Sequence, residues 1–247
     1  MRKHWGDKPY PPNPLSLFRE RGKRIKISPP DKGEIKRGFM KIILATNNSH
    51  KVKEIKKLLK IKGLEILSLS DFSKKIKVAE NRNTFKGNAI KKAKAVSRMF
   101  NMIAVADDSG LCVDALGGKP GVRSARFVNP PVTPQKLCNK LLKYMDGIQT
   151  SKRKARFVCA VAVVYPNGKI FTTEGICNGK IGSSIKGSSG FGYDPVFIPK
   201  GHSKTFAEIS MKEKNRMSHR GKAFGSLKQH FLKLLGSGFA DPADLRF

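Results

Sequence analysis

This chain has few acids. Eighteen Asp and Glu face 50 Lys and Arg over 247 residues, leaving a net charge of +32. Such an imbalance attracts polyanions, whether nucleic acid, a membrane surface or a phosphate-rich small ligand, without choosing among them. No apolar run approaches the roughly 18–20 residues that span a bilayer. The N-terminus lacks the apolar stretch of a secretory signal. It also carries Asp7, Glu20, Asp31 and Glu34, which a transit peptide avoids. Cysteine is sparse too. Cys112, Cys138, Cys159 and Cys177 stand far apart, with no C-x-x-C pair and no His at ligand spacing, so they read as free thiols of a reducing compartment. The expected location is the cytoplasm, with no membrane association. There is no internal repeat, zinc finger or aromatic RNA-binding signature, so nucleic acid is expected to bind only non-specifically, through charge.

What is present begins at Met40. Residues 1–39 hold eleven Lys and Arg, four acids and the cluster "PYPPNP" without apolar periodicity, and are expected to be disordered. The domain is expected over 40–236, followed by a tail at 237–247. "KIILA" reads as a buried strand, "TNNSH" as a polar turn, and "KVKEIKKLLK" as a helix with Val52, Ile55, Leu58 and Leu59 on one face. "LEILSL" is a second strand. Thr84 is placed to cap a helix bearing Phe85, Ala89, Ala93, Val96 and Phe100 at helical spacing. "MIAVA" is a third, wholly apolar strand, and the two aspartates follow it. "LGGKPGVRSARF" reads as a loop, and Thr133-Pro134 opens another helix. Pro-Asn-Gly joins two strand runs in "ARFVCAVAVVYPNGKIFTTEGIC". "FGYDPVFIP" reads as extended, Ser210 and Glu213 stand at capping-box spacing, and a last helix is expected from about Gly221 to Leu235. The order is mixed α and β.

Four stretches carry chemistry. A strand that ends in "TNNSHK" and opens a helix aims backbone N–H groups at one point and favours an anion there. Thr46, Asn47 and Asn48 add side-chain donors, and Lys51 adds charge. "VADDSG" sets two carboxylates side by side, where alternation lets at most one face a site directly. Mg²⁺ takes few protein carboxylates and completes its shell with water and phosphate oxygens. "SSGFGYDP" offers Phe191 or Tyr193 as a stacking surface for a planar base. "EKNRMSHRGKAF" gathers Lys214, His219 and Arg220, which could contact a phosphate and the keto oxygen of a base.

In this order, "ATNNSHK", "ADDSGLCVDAL", "GGKPGVRSARF", "GFGYDPVFIP", "KTFAEIS" and "EKNRMSHRGKA" resemble the inosine/xanthosine triphosphate pyrophosphatase family, from Met40 to about Leu235. The resemblance implies an elongated mixed β-sheet with flanking helices, and two lobes around a central nucleotide-binding cleft. It implies hydrolysis of ITP, dITP and XTP to monophosphate and pyrophosphate with Mg²⁺, usually by a homodimer. By position, Thr46, Asn47, Asn48, Ser49, His50 and Lys51 hold the triphosphate. Asp108 is the general base and a metal ligand, and Ser109 touches substrate. Phe191, Gly192, Tyr193 and Asp194 bind the base, and Lys214, His219 and Arg220 complete the nucleotide contacts. A second metal ligand corresponds to Glu80, within one residue. The chain departs from the pattern at Gly87 in "TFKGNA", where the family often has an acid. Residues 1–39 have no counterpart in the pattern; they are either a basic tail or upstream sequence read from an early start codon. An enzyme of similar architecture acting on modified pyrimidine triphosphates is the nearer rival, and the "SHR" and "FGYD" segments favour purines.

Overall fold

The structure, a computed structural model, describes residues 39–72, 76 and 78–236. The expectations for 1–39 and 237–247 therefore lie, Phe39 apart, outside the described residues.

Six strands form one sheet. They are β1 (Met40–Leu44), β2 (Leu64–Ser68), β3 (Ile103–Val113), β4 (Lys154–Val164), β5 (Ile170–Ile181) and β6 (Phe197–Pro199), in the spatial order β2-β1-β3-β4-β5-β6. β1 runs parallel to both β2 and β3, and the remaining pairs are antiparallel. The helices are α1 (Ser49–Leu58), α2 (Phe85–Phe100), α3 (Pro134–Tyr144), α4 (Met211–Met217) and α5 (His219–Gly236). Their starts follow the sequence. Thr84 Oγ1 accepts the Gly87 N–H at the head of α2, Thr133 caps α3 ahead of Pro134, and Ser210 Oγ accepts the Glu213 N–H at α4.

The chain goes from β1 through α1 to β2, then through α2 to β3 on the other side of β1. The two helices lie on opposite faces of the sheet. Ile55 and Leu59, from α1 and just beyond it, pack with Ala223, Phe224 and Leu227 of α5 against Ile42, Leu44 and Val105. Ala89, Ala93 and Val96 of α2 pack against Ile43, Ala104 and Ala106. A reversal of strand order of this kind opens a crevice at the carboxyl end of the central strand, which is where α/β sheets bind ligands. A third cluster, with Leu137 and Leu141 of α3, Phe157, Phe197 and Phe206, occupies the far end of β3–β5.

Three expectations need correction. β3 does not stop at Ala106. It pairs with β4 without a break from Ala104 to Val113, so the two aspartates sit in mid-strand. "FGYDPVFIP" begins as a 3-10 turn, Asp194–Val196, and is a strand only from Phe197. The Asp194 carboxylate accepts the Phe191 N–H at 2.8 Å and closes the turn at 191–194 that leads into it. The glycine-rich segment after β3 is not loop throughout, since Gly121–Arg126 is 3-10 helix. The four cysteines are free and buried, and burial pushes the Cys138 and Cys159 thiols up to about 12, which makes both inert.

Candidate active site

A cleft of about 490 Å³ opens at the carboxyl end of β1. It brings together Thr46, Asn47, Asn48, His50, Lys51, Glu80, Asp108, Ser109, Phe191, Gly192, Tyr193, Asp194, Lys214, His219 and Arg220. Of the residues expected from sequence, only Ser49 does not line it; Ser49 is exposed at the head of α1.

The turn after β1 works differently from the cradle read in the sequence. The N–H groups of His50 and Lys51 donate to Asn48 Oδ1, at 3.0 and 3.2 Å, because Asn48 caps α1. Asn47 Nδ2 donates to the Ile76 carbonyl at 2.7 Å. The cation at the turn is Lys51, and its Nζ lies 2.8 Å from Asp107 Oδ2.

Asp107 and Asp108 point to opposite sides of β3. Asp107 is turned toward the α1/α5 side and is buried among cations. Burial would raise its carboxyl, but Lys51, Arg220 and Lys92 together hold it well below the usual carboxylate range. Asp108 faces α2 and lines the cleft. Its Oδ2 accepts from Asn88 Nδ2 at 2.9 Å, and its Oδ1 accepts the Ser109 N–H at 3.1 Å and lies 3.8 Å from Lys92 Nζ. Burial lifts the Asp108 carboxyl above its ordinary value, with Lys92 pulling the other way. Lys92 also donates to Glu80 Oε1 and to the Asp107 carbonyl. Burial opposes its charge, but the surrounding carboxylates Asp107, Asp108 and Glu80 prevail and raise its pKa.

On the other wall, Glu54 is buried in α1 between two cations. Its Oε1 accepts from Lys214 Nζ at 3.1 Å and its Oε2 from Arg220 Nη1 at 2.6 Å. Burial would raise the Glu54 carboxyl, yet Arg220 and Lys214 lower it. Lys214 also reaches Asp194 Oδ2 at 2.7 Å, and Arg220 Nη2 donates to Ser109 Oγ at 2.9 Å. Gly190, at φ +80°, makes room for that wall, because a Cβ there would fall 2.1 Å from Asp194 Oδ2.

The two stacking candidates separate. Tyr193 is buried, and its hydroxyl donates to the Ser124 carbonyl at 3.0 Å. Phe191 is only partly buried, with the His50 ring stacked 5.5 Å away and Lys214 Nζ 5.1 Å from its centroid. His219 stacks on Phe157. Burial, with Arg220 and Lys214 adding to it, holds its pKa well below the ordinary value, so the ring is neutral. His219 Nδ1 and Arg220 Nε are buried with no partner among the described residues.

Glu54, Asn88 and Lys92 are absent from the sequence reading. The available signal was a polar residue on an apolar stripe. Asn88 and Lys92 fall on the same side of α2 as Ala89, Ala93 and Val96, and all five are buried.

The model of the Ham1 family matches residues 42–230, which include every one of these cleft residues. The chain belongs to the Ham1 family. The dITP/XTP pyrophosphatase of Desulforamulus reducens is 50% identical over 184 residues, covering 74% of this chain and 92% of that protein. That of Geobacillus kaustophilus is 44% identical over 195 residues, 79% and 96% of the two chains. A Ham1 protein of Coxiella burnetii has the same fold, with a TM-score of 0.73 and 34% identity over 79% of this chain and all of that one. Among the described residues no helix is long and apolar enough to cross a membrane.

Proposed function

We propose that this chain hydrolyses ITP, dITP and XTP to the nucleoside monophosphate and pyrophosphate, clearing noncanonical purines from the nucleotide pool. The observation that carries the reading is the cleft itself. One wall holds a carboxylate set to take a proton, the turn beside it supplies a lysine for phosphate, and the opposite wall offers a ring with buried polar atoms for a base. The curated relatives bear the same activity in their names.

Asp108 is the general base. Burial raises its proton affinity toward the range a base needs, and Asn88 and Ser109 aim its two oxygens. Lys51 attracts the phosphate chain while it shares its charge with Asp107. Phe191 offers its ring face to the purine. The Arg220 guanidinium lies 5.4 Å from the centroid of that ring, and His219 lines the same cleft from its stack on Phe157. We take the unpartnered His219 Nδ1 and Arg220 Nε as partners for the 6-keto edge, which ATP replaces with an amino group. Arg220 has the smaller share in this reading than the sequence suggested, since its terminal nitrogens serve Glu54, Asp107 and Ser109.

Members of such a pyrophosphatase family are generally metal-dependent, and we take the metal to be Mg²⁺. Among the described residues no three His, Cys, Asp or Glu side chains cluster to hold an ion. Glu80 and Asp108 nevertheless flank one point, which Lys92 Nζ now shares, and both are hard carboxylate donors. Two protein ligands suit an ion that completes its shell with water and substrate phosphates. When bound, it would neutralise phosphate charge and acidify a water. A homodimeric state belongs to the same reading and rests on the family resemblance, whereas cytoplasmic residence rests on the composition, with its four free cysteines.

A panel of ITP, dITP, XTP and ATP, with pyrophosphate and orthophosphate measured separately, tests the function. Pyrophosphate is the expected product, with ITP preferred over ATP by ~10²-fold or more in kcat/KM. Orthophosphate as the product, or equal use of ATP, would overturn it.

A further inference from the structure

We propose that Asn88 is a positioning residue that ties the orientation of the Asp108 carboxylate to the placement of the Glu80–Arg82 segment. The proposal rests on reading this cleft as a metal-dependent pyrophosphatase site.

Asn88 lies in the first turn of α2 and is fully buried. Asparagine is a mediocre helix former, and a buried amide is costly unless its hydrogen bonds are made. Here both ends are used. Oδ1 accepts the Arg82 N–H at 2.9 Å, and Nδ2 donates to the Arg82 carbonyl at 3.3 Å and to Asp108 Oδ2 at 2.9 Å. The Arg82 N–H can only donate, so it fixes which end of the amide is oxygen and turns the NH₂ toward Asp108. One planar group thus reads the backbone of the segment and one oxygen of the aspartate together.

The same helix addresses the other oxygen. Lys92, one turn on, lies 3.8 Å from Asp108 Oδ1 and donates to Glu80. The segment is also held from outside, by Arg126 Nη2 on the Glu80 carbonyl at 2.8 Å and by Lys91 Nζ on Asn81 Oδ1 at 2.8 Å. Those two contacts fasten the segment but do not touch Asp108. Lys92 carries its charge on a flexible stem. Asn88 is the rigid link. Its two bonds to Arg82 set where the segment runs, and its third sets the rotation of the Asp108 carboxylate. Glu80 and Asp108 thereby keep a constant spacing. Partners that hold a ligating carboxylate in this way typically matter by 10–100-fold in metal affinity or activity.

Two substitutions separate the contacts. Asn88→Asp keeps the shape and the acceptor for the Arg82 N–H, but loses the donor to the Arg82 carbonyl and turns an acceptor on both that carbonyl and Asp108. Asn88→Ala removes all three hydrogen bonds. In the full chain we expect kcat for ITP to fall ~10–100-fold in both, with KM moving less than ~3-fold. Mn²⁺ binding without substrate, followed by electron paramagnetic resonance, should weaken by ~10-fold or more in both. Amide exchange at 80–82 should quicken most in Asn88→Ala and less in Asn88→Asp, which keeps the bond from the Arg82 N–H. Folding of each variant is checked by its melting transition, and if Asn88→Ala does not fold, Asn88→Asp alone decides. A folded variant whose kcat and Mn²⁺ affinity stay within about twofold of wild type overturns the proposal. So does a loss of kcat that only tracks a loss of folded protein. If wild type itself fails to hydrolyse ITP, the functional reading falls, while Mn²⁺ binding and exchange still report on the link.

Discussion

Lys92, Lys214 and Arg220 are buried cations in a chain whose other cations mostly face solvent. Each is held by carboxylates, and an unpaired charge in their place would be untenable. Glu54 is the clearest case. Glu54→Gln would leave Lys214 and Arg220 short of an anion, and should cost roughly 3–5 kcal/mol of stability, the usual penalty for breaking a buried pair; urea denaturation at neutral pH measures it. At Asp108 the loss should be catalytic. Asp108→Asn should lower kcat by at least ~10²-fold with a smaller change in KM, while turnover at the wild-type rate would remove Asp108 from the mechanism. His219 gives a dependence on pH. The folded protein keeps the ring neutral, whereas an unfolded histidine takes up a proton near pH 6.5. The unfolded state therefore binds the extra proton as pH falls, so stability is complete above about pH 6.5 and declines below it. From pH 7.5 to 5.5 that amounts to ~1.4 kcal/mol for one such group. His219→Phe, which keeps a ring against Phe157, should remove that part of the decline. His230, whose pKa burial also lowers, acts in the same direction and remains.

At the scale of elements, the helix starts and the hairpin were legible because each has a local cause: Thr84 and Thr133 as caps, and Pro-Asn-Gly at a tight turn. The reach of β3 was not. "DDSG" looks like a turn because Asp and Gly favour turns, and only the long partner strand β4 supplies the hydrogen bonds that carry it on. The turn read as an anion cradle was half legible. Its residues do reach the cleft, but a cap that competes for the same N–H groups cannot be weighed from composition. Contacts distant in sequence, such as Glu54 with Arg220, leave no periodic trace at all. The junction of β5 and α5 is another of these. A Cβ on Gly175 would lie 2.1 Å from the His219 carbonyl and 2.6 Å from the Ala223 N, both backbone atoms that cannot swing aside. Gly175→Ala should push α5 off the sheet, cost roughly 1–3 kcal/mol, and displace His219 and Arg220. A melting curve and KM for ITP, read together, check both effects; unchanged values in each would show that the helix has slack.

At the scale of the whole molecule, the few acids are not spread evenly. Of the twelve Asp and Glu between residues 39 and 236, five (Glu54, Glu80, Asp107, Asp108 and Asp194) lie in or beneath the cleft, each facing a lysine or arginine there. Ion pairs away from it are few among the described residues, Lys41 with Glu65 and Arg156 with Asp114. The outer surface is thus predominantly cationic. Lys53, Lys56, Lys57 and Lys60 are exposed on and just beyond α1, the helix that also supplies Lys51 to the cleft. A field of this sign draws a nucleoside triphosphate, itself strongly anionic, toward the opening from beyond contact distance. Salt shortens that reach, since the screening length is about 30 Å at 0.01 M and about 8 Å at 0.15 M. The kcat/KM for ITP should therefore fall by roughly 10-fold or more between those ionic strengths, at the lower end of what steering supplies, while kcat holds. Replacing Lys53, Lys56, Lys57 and Lys60 together by Glu should lower kcat/KM at low salt and flatten its salt dependence, because none of the four lines the cleft. If the fourfold variant keeps the wild-type slope, the salt effect belongs to Lys51 and the cleft cations alone, and the outer charge has no part in capturing substrate.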